Sequence, residues 1–482
     1  MTGIKKALSW TFASSYLTIF IRFTSVAIVA RLLTPDEIGI FSIALAGFGF
    51  LQIFRDFGVG TYIIQHKNLK PTDLAATYAV SLMICWFLAI VAYFSADAIG
   101  TFYGRHEIAE IFELLALNLI LIPFGTINLA LLKRKRMFKN IAMIDVCSAT
   151  LSSMSVVIFA YNGYSYLSPA LGSIVGCLTT VVISNIYRQK ELPFLPSLKG
   201  IREVFKFGSL ISTSNIITHI SQTGPELIIG KTLGIEAVAF FNKGASTAQL
   251  INRLILKSVR TVSGPFFAEY YRNNIGKLSV LFLKFQDYIV VTAWPFLIFI
   301  GYFSHETIFL LYGPQWTTTA ELLPYFCFII AMGCPLALGN QLLINTGYVK
   351  IQLLIVTILA VLKILIVFLA SFYSLKVTII LLMVIPIIRI FLFIPALNKI
   401  FPLSFSILKK SIIKWLAISF CYFIFIVLIN NLLSTYVVNS VYNMLPIGVS
   451  AVAFWIYLLY IFKHPLLYEV QTILKNIRAR IT

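Results

Sequence analysis

The sequence predicts an all-α polytopic membrane protein of about 14 transmembrane helices: two six-helix lobes related by a parallel internal repeat, plus two C-terminal helices. Three observations carry this. The chain is 59% hydrophobic and 12% charged, with a mean hydropathy of +0.91 over 482 residues, a composition foreign to ordinary soluble domains. Apolar stretches of about 20 residues, each long enough to cross a bilayer, recur from end to end. A motif near residue 31 returns about 200 positions later.

The first span, near 8–30, follows a basic start, MTGIKKALSW, and its apolar run continues to Arg31 without a short h-region and cleavage site. It is therefore expected to be a retained helix rather than a removed leader. Spans near 38–60, 74–95, 110–132, 141–161 and 166–187 complete an N-terminal lobe over 1–190. A polar stretch, RQKELPFLPSLKGIREVFK, supplies a cytoplasmic linker at 191–206. Spans near 207–229, 237–262, 284–304, 320–345, 351–373 and 377–398 form a second lobe over 207–400. The region 401–482 adds spans near 412–432 and 442–462 and a basic cytoplasmic tail.

With the N-terminus in the cytoplasm, about 25 Lys and Arg fall on cytoplasmic connections, five of them in the loop Lys133, Arg134, Lys135, Arg136 and Lys139. Only about four, Arg31, Arg105, Lys231 and Lys376, fall on the other side. Both termini are thus expected inside. No loop exceeds about 20 residues, so no soluble catalytic domain of the usual 50 residues or more fits, and lipid leaves the backbone no alternative to helices.

The repeat aligns RLLTPDEIGIF (31–41) with KTLGIEAVAFF (231–241) without a gap, pairing Leu33 with Leu233, Asp36 with Glu236, Gly39 with Ala239 and Phe41 with Phe241. A second echo pairs Glu113-Leu-Leu with Glu321-Leu-Leu, followed at equal spacing by Gly125 and Gly333. Six spans per unit start both halves on the same side, which makes the repeat parallel; substrate sites in such transporters lie between the lobes.

The chemistry-bearing residues are intramembrane cations. A charge in hydrocarbon costs at least about 2.5–3.5 kcal/mol, so Arg22, Arg55, Lys243, Arg253, Lys257, Lys363 and Arg389 are expected to face a polar interior suited to an anion. In the first helix Thr11, Ser15, Thr18, Arg22 and Ser25 recur every three or four residues on one face. That face either lines a cavity, where a guanidinium fork suits phosphate, or packs helices closely with Arg22 paired to a carboxylate. In the eighth, Arg253, Lys257 and Arg260 share a face, with Lys243 and Gln249 higher. Arg260 and Lys257 equally well snorkel to the surface, whereas Lys243 and Arg253 lie deeper.

Buried acids are few: Asp56 beside Arg55, Asp145, and Glu226 after Pro225. Each either neutralises a nearby cation or couples a proton or sodium ion to transport. Pro225 is expected to distort its helix and free backbone groups. The six cysteines fall in apolar segments without metal-ligand spacing and read as packing residues. The five histidines are scattered, and the single one in a span, His219, reads as a helix–helix partner. No nucleophile elbow, Walker loop or acidic catalytic cluster occurs, so no enzyme, cofactor or metal is expected. Nor are the basic residues gathered on a nucleic-acid-binding domain.

Several segments resemble the Wzx-type polysaccharide flippases of the multidrug/oligosaccharidyl-lipid/polysaccharide exporter superfamily, in particular the colanic-acid-exporter-like branch. They are Arg31-Leu-Leu-Thr-Pro-Asp-Glu-Ile-Gly, DFGVGTYIIQ from Asp56, FKNIAMID ending at Asp145, Phe207-Gly, and Leu311-Tyr-Gly-Pro-Gln-Trp316. The resemblance covers roughly residues 1–400; it departs after the eighth helix, at SGPFFAEYY. It implies translocation of undecaprenyl-diphosphate-linked oligosaccharide across a bacterial inner membrane, for O-antigen, capsule or exopolysaccharide synthesis. Arg31 and Asp145 match positions that are basic and acidic in that family.

The expected activity is flipping by alternating access, with Arg22, Lys243, Arg253, Arg31 and Lys257 meeting the diphosphate and Asp145, Glu226 and Asp56 in ion coupling or salt bridges. The expected partners are the lipid-linked substrate, membrane lipid and polysaccharide polymerase machinery. A multidrug exporter of the same superfamily would favour buried acids over cations. A glycan polymerase or glycosyltransferase would need a sizeable external loop.

Overall fold

The computed structural model describes every residue except 1, 56–57, 194, 199, 402–404, 435–439 and 468–482. Side chains are likewise undescribed at 2–9, 202, 205–216, 218, 251–252, 255, 257–258, 405–408, 434 and 440–442. Asp56 and the basic tail therefore lie outside the described residues, as does the side chain of Lys257.

Two compact units emerge, one of residues 1–242, 311–315 and 363–375 and the other of 243–310, 316–362 and 376–482. The first holds α1 (Thr2–Leu32), α2 (Pro35–Arg55), α3 (Val59–Gln65), α4 (Pro71–Tyr103), α5 (His106–Leu121), α6 (Pro123–Arg134), α7 (Phe138–Tyr161), α8 (Ser168–Ile186), α9 (Ile201–Thr232) and the start of α10 (Ile235–Asn273). The second holds the rest of α10, then α11 (Ile275–Tyr302), most of α12 (Ser304–Tyr312), α13 (Thr317–Gly333), α14 (Gly339–Asn345), most of α15 (Val349–Ala370), α16 (Leu375–Leu382), α17 (Val384–Asn398), α18 (Phe405–Ser434) and α19 (Ser440–Ile461). No strand occurs among the described residues.

Eleven helical segments are long and apolar enough to cross a membrane, twelve when the pair α5 and α6, bent by 50°, is taken as one span. The two remaining expected spans correspond to α9 and α10, which have the length, 32 and 39 residues, but not the apolarity. α10 carries Lys243, Arg253, Lys257 and Arg260. Pro225 and Pro265 sit inside α9 and α10 without ending them.

The α1–α2 junction shows why its sequence folds as it does. Thr34 and Glu37 form a reciprocal cap: the Thr34 N–H donates to Glu37 Oε2 at 2.7 Å and the Glu37 N–H donates to Thr34 Oγ1 at 3.3 Å. Pro35 occupies the first helical position, where its missing N–H costs nothing. Arg105 then donates to Asp36 Oδ1 at 2.7 Å, and Ser165 Oγ donates to Glu37 Oε1, fixing the turns after α4 and α7 to this corner.

α8 presents Gly172 and Gly176 to α7. A Cβ at Gly172 would collide with Val156 Cγ2 and one at Gly176 would meet Ser152 Cβ at 2.9 Å. Ser152 and Ser148 of α7 donate to the carbonyls of Gly172 and Gly176, each at 2.8 Å. This is the small-xxx-small contact that lets backbones approach in lipid, where apolar side chains gain nothing by leaving the solvent.

In the second unit α11, α18 and the segment after α19 meet at Asp287. Trp415 Nε1 donates to Asp287 Oδ1 at 2.6 Å, and His464 Nε2 lies 2.6 Å from Oδ2. Trp455 Nε1 donates to the Val291 carbonyl at 2.9 Å, so α18 and α19 are both tied to α11 by indole donors.

Candidate functional site

On α1, Arg22 is exposed and makes no hydrogen bond or ion pair with another described residue. The polar stripe around it divides its work: Ser25 is buried and donates to the Ser153 carbonyl of α7 at 3.3 Å, and Thr18 donates back to the Ser14 carbonyl at 2.7 Å. Arg31, also exposed, donates from Nε to the Leu311 carbonyl at 3.4 Å, while Gln315 Nε2 donates to the Ala30 carbonyl at 2.8 Å. The LYGPQW segment thus clasps the end of α1, and Gly313, at φ +99°, makes the turn that brings it there.

Glu226 is half-buried on α9, directly after Pro225. Lys363 of α15 donates from Nζ to the Ser221 carbonyl of α9 at 2.8 Å. This bond, between residues 142 positions apart, has no signal in the sequence beyond the residue types. His219, on the same helix, packs its ring against Gly49 of α2, where a Cβ would meet Cε1 at 3.1 Å. Asp145 is exposed on α7.

In the second unit Lys243 is buried on α10 with its Nζ 5.6 Å from the centroid of the fully buried Trp316 ring. A cation over an indole face gains from the ring quadrupole, all the more where water is scarce. Thr247 Oγ1 donates to the Lys243 carbonyl at 2.7 Å. Nearly three turns on from Lys243, Arg253 is exposed and donates to Gln249 Oε1 at 3.4 Å.

Two further arginines converge where α13 breaks at Cys334-Pro335. Arg389 of α17 donates to the Leu336 carbonyl at 2.9 Å and Arg260 of α10 to the Ala337 carbonyl at 3.4 Å. A helix broken at membrane depth exposes carbonyls that need donors, and guanidinium groups supply them. Within the first unit cations stand on α1 and α15, and within the second on α10 and α17. No group of three or more His, Cys, Asp or Glu is placed to hold a metal among the described residues.

Comparison with known proteins yields three kinds of similarity. Residues 28–321 match the family described as Polysaccharide biosynthesis protein. The teichuronic acid biosynthesis protein TuaB of Bacillus subtilis is 25% identical over 330 residues, 67% of this chain and 66% of that protein. The lipopolysaccharide biosynthesis protein WzxC of Escherichia coli is 21% identical over 335 residues, 69% of this chain and 67% of that protein. The succinoglycan biosynthesis transport protein ExoT of Rhizobium meliloti is 23% identical over 315 residues, 65% and 63% respectively. The matches span about two thirds of the length of these relatives. Among solved structures, the lipid II flippase MurJ in an inward closed conformation superposes with a TM-score of 0.76 at 13% identity, covering 95% of this chain and 99% of that one. An inward-facing multidrug resistance MATE family transporter gives 0.64 at 15% identity, covering 82% and 96%.

Proposed function

The chain belongs to the polysaccharide biosynthesis protein family, and from that membership we propose that it flips undecaprenyl-diphosphate-linked oligosaccharide repeat units from the cytoplasmic to the periplasmic leaflet of a bacterial inner membrane by alternating access. The observation that carries the reading is the set of cations on helices of membrane-spanning length, with few acids among them. A diphosphate needs such partners, whereas a cationic drug would need the reverse. The relatives, which include a succinoglycan biosynthesis transport protein and a putative O-antigen transporter of Shigella flexneri, point the same way.

Arg22, Lys243 and Arg253 are the proposed primary contacts of the diphosphate, with Arg31 and Lys257 along its path. Asp145, Glu226 and Asp56 serve in charge pairing or ion coupling. The repeat halves at 1–190 and 207–400 are the proposed moving parts, both termini lie in the cytoplasm, and the polysaccharide polymerase machinery receives the product. Transport, not bond chemistry, is the proposed activity.

The test is depletion of the protein in its host, with lipid-linked oligosaccharide measured on each side of the inner membrane by a periplasm-restricted label. Complete repeat units should accumulate on the cytoplasmic leaflet. Units that reach the periplasm but fail to lengthen would replace this reading with a polymerase. Alanine at Arg22, Lys243 or Arg253 should reproduce the depletion with protein levels unchanged.

A further inference from the structure

We propose that the groove between α4 and α5, within the first unit, binds an aminophospholipid of the surrounding bilayer through its ammonium group. The groove encloses about 770 Å³ and is lined by Trp86, Ile90 and Phe94 of α4 and by Glu110, Glu113 and Leu117 of α5. That volume falls inside the roughly 300–1,000 Å³ of ordinary ligand sites. The outer flank of α4 is apolar and open, with Ile90 56% and Phe94 78% exposed, which on a chain of this hydropathy is a lipid-facing surface.

The two helices run antiparallel from the turn at 104–105. Their register is fixed by Gly100, where a Cβ would meet Ala109 at 3.2 Å, and by Trp86 Nε1, which donates to the Ile120 carbonyl at 3.4 Å. At 1.5 Å per residue the lining from Glu110 to Ile120 measures about 15 Å, half of a hydrocarbon core about 30 Å thick. The groove thus has the length of one leaflet, with its carboxylates toward the turn at 104–105 and Trp86 at the far end. In the orientation proposed above, this is the outer leaflet.

The carboxylates select the occupant. Glu110 accepts a hydrogen bond from Tyr166 Oη at 2.8 Å, which holds it at the mouth. Glu113 is exposed and has no hydrogen bond or ion pair with another described residue. An acid at the edge of hydrocarbon is costly unless a cation reaches it. Arg105 does not supply one, being committed to Asp36 at 2.7 Å and Glu107 at 3.3 Å. An ethanolamine ammonium satisfies the pair while its acyl chain fills the apolar run. An anionic lipid, or the diphosphate substrate itself, is repelled from the same place.

The experiment is native mass spectrometry of the full chain released from mixed micelles holding equal phosphatidylethanolamine and phosphatidylglycerol. Wild type should retain the ethanolamine lipid over the glycerol lipid by about tenfold, the scale of one charge-assisted contact. Glu113→Gln should bring the two to parity, Glu113→Asp should keep the preference, and Leu117→Trp, which fills the apolar run with both acids intact, should reduce adducts of either lipid. Acylating the ethanolamine nitrogen removes its charge without altering the protein and should abolish the preference. Equal retention of the two lipids by wild type, or retention indifferent to acylation, overturns the proposal. No oligosaccharide substrate is present, so the outcome is independent of the flipping reading.

Discussion

Residue by residue, two acids show how this chain uses its few negative charges. Glu37 serves three donors at once: the Thr34 N–H at 2.7 Å, Thr34 Oγ1 at 3.0 Å, and Ser165 Oγ. Replacing Glu37 with Ala removes the acceptor of the Thr34 N–H and of Ser165 Oγ while leaving the Thr34 Oγ1 cap on the residue-37 N–H in place, and should cost about 1 kcal/mol, read as a fall in Tm of the purified protein; Glu37→Gln, which still accepts in a capping box, should recover most of it. Glu226 is placed differently. Lys363 is held on the Ser221 carbonyl, little more than one turn before Glu226 on the same helix, and we propose charge balance rather than ion coupling as the role of this acid. Glu226→Gln or Lys363→Met alone should each destabilise by about 1 kcal/mol, since each leaves one half-buried charge without its neighbour. The double variant should recover both stability and export. A stable double variant that still fails to export would transfer Glu226 to the coupling role.

Beside buried apolar side chains such as Phe48, Phe112 and Trp415, small residues and polar donors bring the helices together, as lipid favours. Gly172 is the sharpest case, because its Cα sits against Val156 with no room for a side chain. Gly172→Leu should separate α7 from α8 and cost about 1–3 kcal/mol or more, the scale of overpacking, with protein yield and Tm as readouts. Gly60, where a Cβ meets nothing within 4 Å, is the control that should tolerate Ala. At this scale much was legible in the sequence. Long apolar runs such as 71–103 and 349–370 give their helices directly, because hydropathy records the environment a helix needs. The breaks at Ile122-Pro123 and Cys334-Pro335 were not read, although both hold a proline, because a window average smooths over a bend. Asp287 was missed for a related reason: its partners Trp415 and His464 lie 128 and 177 positions away, and no local pattern announces them. The intramembrane cations were legible as residue types. Their surroundings, such as the Trp316 ring beside Lys243, were not.

Across the whole molecule, the starts of α2 and α10 bear on the internal repeat. They begin at Pro35 and Ile235, 200 positions apart. Asn242 Nδ2 donates to Ser42 Oγ at 3.4 Å, and Ser42 and Asn242 are counterparts under that offset. Gly39, counterpart of Ala239, lies flat against the backbone of Ile235, where any Cβ would collide with its carbonyl. A contact between counterparts is what a two-fold axis through this seam would produce. Alternating access requires some seam to open, and this one is bridged by a long hydrogen bond between small polar side chains. The seam should therefore part during each transport cycle. With the six native cysteines replaced, Ser42→Cys and Asn242→Cys joined by a short bifunctional thiol reagent should stop export. Either cysteine alone, or the pair joined by a reducible reagent and then reduced, should leave it running. Full export through the crosslinked protein would mean that this seam stays closed and that the moving surface lies elsewhere.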